Sequence, residues 1–242
     1  MREKSSMGKY QGKTVFITGS SRGVGEILTR HFLAEDASVI GVSRGIPAFE
    51  HERYRHFAVD IADPEAVQQV FATLRTTVKA LDIAINNAAV LTSQYAMIMP
   101  AAAAEVMVNV NFLGTFLVSR EAAKLMRKSK WGRIINISSM AVSLEPEGDS
   151  VYAACKAAVS TLANVMAREF ASFNVTCNTL GITAIATDML SQLPRSKIDA
   201  VVAGLPIPRY ATADDILNAV DFFASDRSSY ITAQTLYLGG VH

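Results

Sequence analysis

Residues 14–25, TVFITGSSRGVG, carry the pattern that decides the fold. The run from Thr14 to Thr18 is short, apolar and rich in β-formers, which is typical of a buried strand. Gly19, Gly23 and Gly25 follow it, and apolar residues at helical spacing come next. A strand, a glycine turn and a helix in this order begin a mononucleotide-binding unit, in which N–H groups at the helix N-terminus meet phosphates. The order therefore predicts a nucleotide site, although a glycine trio alone would be a weak signal.

The end of the second predicted strand, residues 38–42, indicates which nucleotide binds. Units that bind NAD usually place an acid about 20 residues after the first glycine, where it holds the ribose 2′-OH. This chain instead has Ser43-Arg44 at that point. A guanidinium suits a 2′-phosphate by charge and by geometry, and Arg22 in the glycine turn could assist. We therefore predict NADP(H) as the cofactor; the alternative is that both arginines are solvated surface residues.

Strands and helices alternate along the rest of the chain. Further strands are predicted at 56–59, 83–86, 133–137, 175–180 and 235–238, and helices at 26–35, 64–77, 101–129, 152–171 and 214–224. This alternation predicts a single α/β domain over residues 1–242, with a doubly wound, all-parallel sheet covered by helices on both faces. Residues 1–12 are expected to form a polar tail. A ligand should bind at the carboxyl ends of the strands.

Composition limits the kinds of partner. The net charge is +1, and no basic patch or basic amphipathic helix predicts nucleic acid or a membrane surface. No apolar run reaches the roughly 18 residues of a membrane span, and the polar amino terminus does not resemble a signal peptide. Cys155 and Cys177 have no metal-ligand spacing. We therefore expect a cytoplasmic protein that binds no metal, no nucleic acid and no membrane.

Tyr152 and Lys156 form the candidate acid/base pair. They are four residues apart, so a helix would put both side chains on one face. A free tyrosine has a pKa of about 10, and a neighbouring ammonium favours the phenolate and lowers that pKa. The pair is thus predicted to act as a general acid/base. Such a pair also occurs by chance on many helices, so its weight comes from the other motifs.

Five motifs, in this order, resemble those of the short-chain dehydrogenase/reductase family, of the 3-oxoacyl-carrier-protein reductase or carbonyl reductase type. They are the turn from Thr18 to Gly25, Asn86-Asn87-Ala88-Ala89, Asn111-Phe112-Leu113-Gly114, Ser138-Ser139 and Tyr152-x-x-x-Lys156. The resemblance runs from Thr14 to Gly240. It implies a seven-stranded Rossmann sheet and a homotetramer or homodimer that associates through the fourth and fifth helices of the family.

The resemblance also implies a role for each site residue. Ser139 would donate a hydrogen bond to the substrate carbonyl, Tyr152 the proton, and Lys156 would also hold the nicotinamide ribose. Asn111 would position a water that returns a proton through Lys156. The implied nucleotide contacts are Gly19, Ser21, Arg22, Gly23, Val24, Gly25, Ser43, Arg44, Asp60, Ile61, Asn87, Ala88, Tyr152, Lys156, Ile185 and Thr187.

The substrate is expected between a lid at residues 187–208 and the loop 140–150. Its predicted lining is mostly apolar: Leu91, Ser139, Met140, Val142, Leu144, Tyr152, Met189 and Leu190. The loop also carries Glu145, Glu147 and Asp149, which would repel an anion if one of them pointed inward. Ile182-Thr183 stands where the family often has Pro-Gly, so this segment could follow another path.

The favoured function is NADPH-dependent reduction of a free, apolar ketone of specialised metabolism to a secondary alcohol, or the reverse. One alternative is a 3-oxoacyl-[acyl-carrier-protein] reductase, whose substrate is tethered to a carrier. The other is a non-catalytic NADP-binding regulatory protein, because a fold does not determine a function. The complete set of Asn111, Ser139, Tyr152 and Lys156 argues against a regulator, which needs no proton donor.

Overall fold

The computed structural model describes residues 8–185 and 195–241, whose strands form one parallel sheet. The strands are β1 Thr14–Thr18, β2 Ser38–Ser43, β3 Tyr54–Ala58, β4 Ile83–Asn86, β5 Gly132–Ser139, β6 Val175–Ile182 and β7 Thr235–Tyr237. Their order is β3-β2-β1-β4-β5-β6-β7. The direction of winding switches between β1 and β4, where such sheets leave a crevice for a ligand. The predicted seven-stranded, doubly wound Rossmann sheet is confirmed.

Helices cover both faces of the sheet. They are α1 Gly23–Ala34, α2 Pro64–Thr77, α3 Ala101–Val108, α4 Thr115–Ser129, α5 Ala141–Leu144, α6 Ser150–Phe170, α7 Arg195–Ala203 and α8 Ala213–Ala224. Successive strand side chains point to opposite faces. Phe16 of β1 therefore lies in the core under α2, α4 and α6, whereas its neighbour Ile17 lies in the core under α1 and α8.

Several predicted boundaries are corrected by a few residues, and two corrections concern the site. Strands β5 and β6 each run two residues past their predicted ends, because Ser138 pairs with Gly181 and Ser139 with Ile182. Ser139 is thus held by the sheet. The path through Ile182 continues the strand where the family motif would place Pro-Gly. The helices α5 and α7 were not predicted. Of the predicted tail and lid, residues 1–7 and 187–194 lie outside the described residues.

The long helix predicted over residues 101–129 is interrupted in the middle. Residues Asn109–Gly114 form a π-helical segment between α3 and α4. Such wide turns occur frequently at functional sites. Here the segment contains Asn111, whose side chain is fully buried. The periodicity of the apolar residues did not reveal this local change.

By length and composition alone, the stretch Ala101–Ser129 could cross a membrane, with a mean hydropathy of 1.5 over its most apolar window. This qualifies the expectation drawn from the sequence. In the fold, α4 packs against α2, α6, β4 and β5. Its side chains Val118, Ala122 and Met126 are buried in the core. The stretch is therefore a helix that covers the sheet, and a third of its apolar window is buried.

Candidate active site and nucleotide cleft

A cleft of about 460 Å³ lies at the carboxyl ends of the strands, within the usual size range of a ligand site. Fourteen of the predicted nucleotide contacts line it: Gly19, Ser21, Arg22, Gly23, Val24, Ser43, Arg44, Asp60, Ile61, Asn87, Ala88, Tyr152, Lys156 and Ile185. Thr187 lies outside the described residues. The cleft also has lining residues that were not predicted as nucleotide contacts: Gly45, Val59, Ala89, Val90, Val110, Ile137, Ser138 and Ile182. Most of these end or follow a strand, which is the signal that could have found them.

Gly25 is the remaining predicted contact; it does not line the cleft but packs against the glycine turn that does. A Cβ added at Gly25 would lie 2.0 Å from the Gly19 carbonyl oxygen, so no other residue fits without moving the turn. Gly19 itself has a φ of 68°, in the left-handed region that favours glycine. The Asn87 side chain donates to the Thr18 carbonyl oxygen at 3.0 Å. The glycine turn is therefore packed against the segment that follows β4.

The N-terminus of α1 opens into the cleft beside the glycine turn. Its N-cap residue, Arg22, makes no side-chain cap hydrogen bond, so no cap side chain occupies the first N–H groups of the helix. These groups and the helix dipole favour an anion. Arg44 lies at the end of β2 with 63% of its side chain exposed, and its Nη1 is 3.8 Å from the Asp60 carboxylate. Two guanidinium groups thus line the same cleft.

Tyr152 lies on α6 with only 8% of its surface exposed. Burial raises the pKa of its phenol from 10.0 to about 12; a hydrogen bond with Ser139 lowers it, and the Asp149 carboxylate raises it. The net shift is opposite to the lowering predicted from Lys156, whose charge is not among the causes that act on this pKa. The physical reason is that burial removes the phenolate from water and so disfavours the charged form. Tyr152 is consequently protonated at neutral pH and suited to donate.

Lys156 follows one turn later on α6 and is also buried. Its ammonium donates a hydrogen bond to the Ile137 carbonyl oxygen at 2.8 Å and lies 5.8 Å from the centroid of the Tyr152 ring. Burial lowers its pKa from 10.5 to about 8. The group is therefore charged at neutral pH but close to the point where it gives up a proton. A lysine with such a pKa can exchange protons with a neighbour near physiological pH.

Ser139 and Asn111 are both fixed by neighbouring backbone groups. The Ser139 hydroxyl accepts a hydrogen bond from the Ala141 N–H at 3.1 Å. The Asn111 amide accepts from the Val90 N–H at 2.8 Å and donates to the Val90 carbonyl at 2.9 Å. Asn111 thus ties the π-helical segment to the chain after β4, which lines the cleft. Its predicted contact with a water stays a prediction.

The predicted substrate lining is only partly assembled in this cleft. Leu91 lines it, but Val142 lines a second cavity of about 610 Å³ and Leu144 is 41% exposed. Met140 packs against the small cluster of Ala184, Ile198 and Val202. The physical reason is that the residues after Met140 form the short helix α5, which directs successive side chains to different sides. Met189 and Leu190 lie outside the described residues.

The acidic loop residues differ in their surroundings. Glu145 and Glu147 are exposed, and Glu147 accepts a hydrogen bond from the Tyr95 hydroxyl at 3.1 Å. Asp149 is 7% exposed, and its Oδ1 has no hydrogen-bond partner within the described residues. One of the three predicted acids is therefore buried, and its charge acts on Tyr152.

The sequence of this chain is similar to a family model and to proteins of known function. The family model described as enoyl-(acyl carrier protein) reductase matches residues 19–242. The 3-oxoacyl-[acyl-carrier-protein] reductase FabG of Escherichia coli is 30% identical over 237 residues, covering 96% of this chain and 97% of that protein. FabG of Vibrio harveyi is 31% identical over 236 residues, covering 95% and 97%.

Solved structures with a similar fold include members of the dehydrogenase class. A short-chain dehydrogenase from Leptospira borgpetersenii with bound NAD⁺ has a TM-score of 0.88 at 26% identity, covering 96% of this chain and 93% of that one. ElxO with bound NADP has a TM-score of 0.85 at 26% identity, covering 93% and 96%. This chain belongs to the short-chain dehydrogenase/reductase family and is an NAD(P)-dependent oxidoreductase.

Proposed function

We propose that this protein reduces a ketone to a secondary alcohol with NADPH, or catalyses the reverse oxidation. The observation that carries the proposal is the shared cleft: Arg44 lines it, and so do the protonated Tyr152 phenol and the Lys156 ammonium. A regulatory protein that only bound a nucleotide would have no use for a buried proton donor and a lysine of lowered pKa. Perturbed groups of this kind cluster at catalytic sites.

The cleft fits a dinucleotide. The uncapped N-terminus of α1 suits the pyrophosphate, and the glycine turn leaves room for its backbone approach. Two structural neighbours hold different cofactors, NAD⁺ in one and NADP in the other. The choice for this chain therefore rests on its own residues. Arg44 supplies the positive charge and the fork of donors that a 2′-phosphate needs.

The bound nucleotide would supply or accept the hydride; the protein supplies the proton and the orientation. Tyr152 donates its hydroxyl proton to the substrate oxygen as the alcohol forms. Ser139, hydrogen-bonded with Tyr152, donates to the same oxygen and holds it in place. Lys156, with a pKa of about 8, returns a proton to Tyr152. Asn111 is hydrogen-bonded to the Val90 backbone and so fixes the position of Val90, which lines the cleft. Proton transfer by a placed side chain typically contributes about 10²–10⁴ in rate.

For the substrate we favour a free, largely apolar ketone. Leu91 is an apolar lining residue, and the buried Asp149 carboxylate beside Tyr152 disfavours an anionic group there. The second candidate is a 3-oxoacyl-[acyl-carrier-protein] thioester, which is favoured by the relatives that are 30–31% identical over nearly the whole chain. Phe173, which packs against Arg127, stands where such reductases often have an arginine for the acidic carrier.

The substrate classes are separated by comparing kcat/KM for free cyclic and aryl ketones with kcat/KM for a β-ketoacyl carrier thioester, under NADPH. We expect the best free ketone to be favoured, because Leu91 and other apolar side chains line the cleft. The control is the same keto acid as a short thioester without the carrier protein. A clear preference for the carrier-bound substrate would assign this chain to the second candidate. No NADPH oxidation with any carbonyl would contradict the proposed activity itself.

We also propose that the protein self-associates, in the cytoplasm, through α3, α6 and the π-helical segment. Val108 and Leu113 are 38% and 42% exposed, and Val108 lines an apolar depression with residues of α6, among them Ala154. A second copy would bury this continuous apolar face. Sedimentation velocity should show a dimer or tetramer that Ala154→Glu dissociates, whereas Gln69→Glu on the exposed side of α2 leaves it intact. A monomeric wild-type protein would refute the assembly.

A further inference from the structure

Two side chains of β3 contact the two turns that line the nucleotide cleft, the glycine turn after β1 and the turn after β2. Tyr54 and His56 are two residues apart on β3, so their side chains lie on the same face of the sheet. The Tyr54 hydroxyl donates to Ser20 Oγ in the glycine turn at 3.0 Å. The His56 Nε2 lies 2.8 Å from Ser43 Oγ, directly before Arg44. Neither β3 residue has a role in the chemistry described above.

The hydroxyl of Ser43 makes two contacts at once. Its Oγ lies 2.9 Å from the Gly45 carbonyl oxygen as well as 2.8 Å from His56 Nε2. A carbonyl oxygen only accepts, and a serine hydroxyl has a single proton. Both contacts are favourable only when Ser43 donates to Gly45 and accepts from an Nε2–H of His56. The opposite tautomer would leave two acceptor oxygens 2.9 Å apart without a proton between them.

The resulting chain of hydrogen bonds closes the turn that carries Arg44. The residues on either side of Arg44 are linked by the hydrogen bond from the Ser43 hydroxyl to the Gly45 carbonyl oxygen. His56 donates a second hydrogen bond to the same hydroxyl. Ser43 is buried, whereas the Arg44 side chain is largely exposed. Gly45 also lies close to the glycine turn, because a Cβ there would be 3.3 Å from Ser21 Oγ. The Arg44 backbone is therefore fixed although its side chain is exposed to meet a ligand.

We infer that His56 is a positioning residue for recognition of the 2′-phosphate: its Nε2–H, through Ser43, holds the Arg44 turn in the conformation that distinguishes NADPH from NADH. This inference rests on the proposed NADP(H) specificity and names a residue that acts on it without touching the nucleotide. Ser43, predicted above to contact the cofactor, then donates its proton to Gly45. Burial lowers the pKa of His56, so the ring is neutral near pH 7.5 and its tautomer is defined.

The test separates the 2′-phosphate from the rest of the nucleotide. Calorimetry would measure the Kd of adenosine 2′,5′-bisphosphate and of 5′-AMP for each variant, with melting temperatures to show that each one folds. His56→Phe keeps a ring but removes the donor. We expect its preference for the bisphosphate to fall about five- to tenfold, the effect of one net hydrogen bond. His56→Gln places an amide N–H near the position of Nε2 and should restore most of the preference.

A matched control comes from the same face of the same strand. Tyr54→Phe removes a hydrogen bond to the glycine turn rather than to the Arg44 turn. We expect it to change the affinities for the two nucleotides by the same factor. If His56→Phe also changes both affinities by the same factor, the role of His56 is only structural and the inference is overturned. Failure of His56→Gln to restore the preference would also overturn it.

A second measurement does not depend on any nucleotide. Nitrogen-15 NMR of the histidine side chains at pH 7.5 should show the Nε2–H tautomer for His56, and the Nδ1–H tautomer would overturn the hydrogen-bond chain. A wild-type protein that binds both nucleotides equally would refute the proposed cofactor and the inference together. A wild-type preference that His56→Phe leaves unchanged would refute the inference alone.

Discussion

Replacing Tyr152 by phenylalanine should reduce the kcat for ketone reduction by about 10² or more while NADPH still binds. The substitution keeps the ring, which is packed and 8% exposed, and removes only the hydroxyl. Burial raises the pKa of that hydroxyl to about 12, so it carries its proton at neutral pH and can act as the donor in the proposed mechanism. In the proposed mechanism the variant keeps the Ser139 hydrogen bond to the substrate oxygen but loses the group that donates the proton. The comparison is made by NADPH absorbance at saturating ketone.

The control for this prediction is Tyr230→Phe, which removes the same atom from a fully exposed tyrosine. It should leave kcat unchanged. Fluorescence titration with NADPH should give a Kd for Tyr152→Phe within a few-fold of the wild-type value. Near-normal turnover in Tyr152→Phe would mean that another group donates the proton. Loss of NADPH binding would mean that the hydroxyl is needed for the cleft itself.

Replacing Arg44 by aspartate should move the cofactor preference from NADPH toward NADH. A charge-assisted hydrogen bond is worth roughly 1.5–3 kcal/mol, so kcat/KM for NADPH should fall by about 10- to 150-fold. The introduced carboxylate can accept from a ribose 2′-OH, the contact that acids make in NAD-binding units. It would, however, lie near Asp60, whose carboxylate is 3.8 Å from the wild-type guanidinium, and this repulsion limits the gain for NADH.

Arg55→Asp is the matched control, because it makes the same change of net charge. Arg55 is on β3, next to β2, but it is exposed and its guanidinium lies over the Phe57 ring at 4.7 Å. Its kcat/KM ratio for the two nucleotides should stay at the wild-type value. A general effect of charge would shift both variants equally. A wild-type enzyme that already prefers NADH would show that Arg44 does not bind a 2′-phosphate.

The fold could be predicted because local patterns repeat along the chain. Each strand is a short apolar run and each helix has apolar residues at its own spacing, and both patterns depend on near neighbours. The glycine turn could be placed for the same reason: Gly19 has a positive φ and Gly25 packs against the Gly19 carbonyl oxygen, both within one strand–turn–helix unit. Fourteen of the residues that the family resemblance implied as nucleotide contacts line the cleft.

Properties that depend on the packing of distant segments could not be predicted in this way. The spacing of Tyr152 and Lys156 indicated an interaction, but the direction of the Tyr152 pKa depends on how deeply α6 is covered. Likewise, the contact of His56 with Ser43 joins two strands and has no sequence spacing of its own. The positions of Val142 and Leu144 depend on the short helix α5, which is too brief for a periodic pattern.

The π-helical segment Asn109–Gly114 determines where the chain can gain or lose a residue. An α-helix turns by about 100° per residue, so deleting one residue there would restore regular winding and rotate one half of the helix against the other. Either Asn111 would leave Val90, or the buried face of α4 would turn away from the sheet. Insertions and deletions are therefore tolerable in the surface turns but not at the centre of this helix. The number of residues in the helix that contains Asn111 is in this sense a property of the active site.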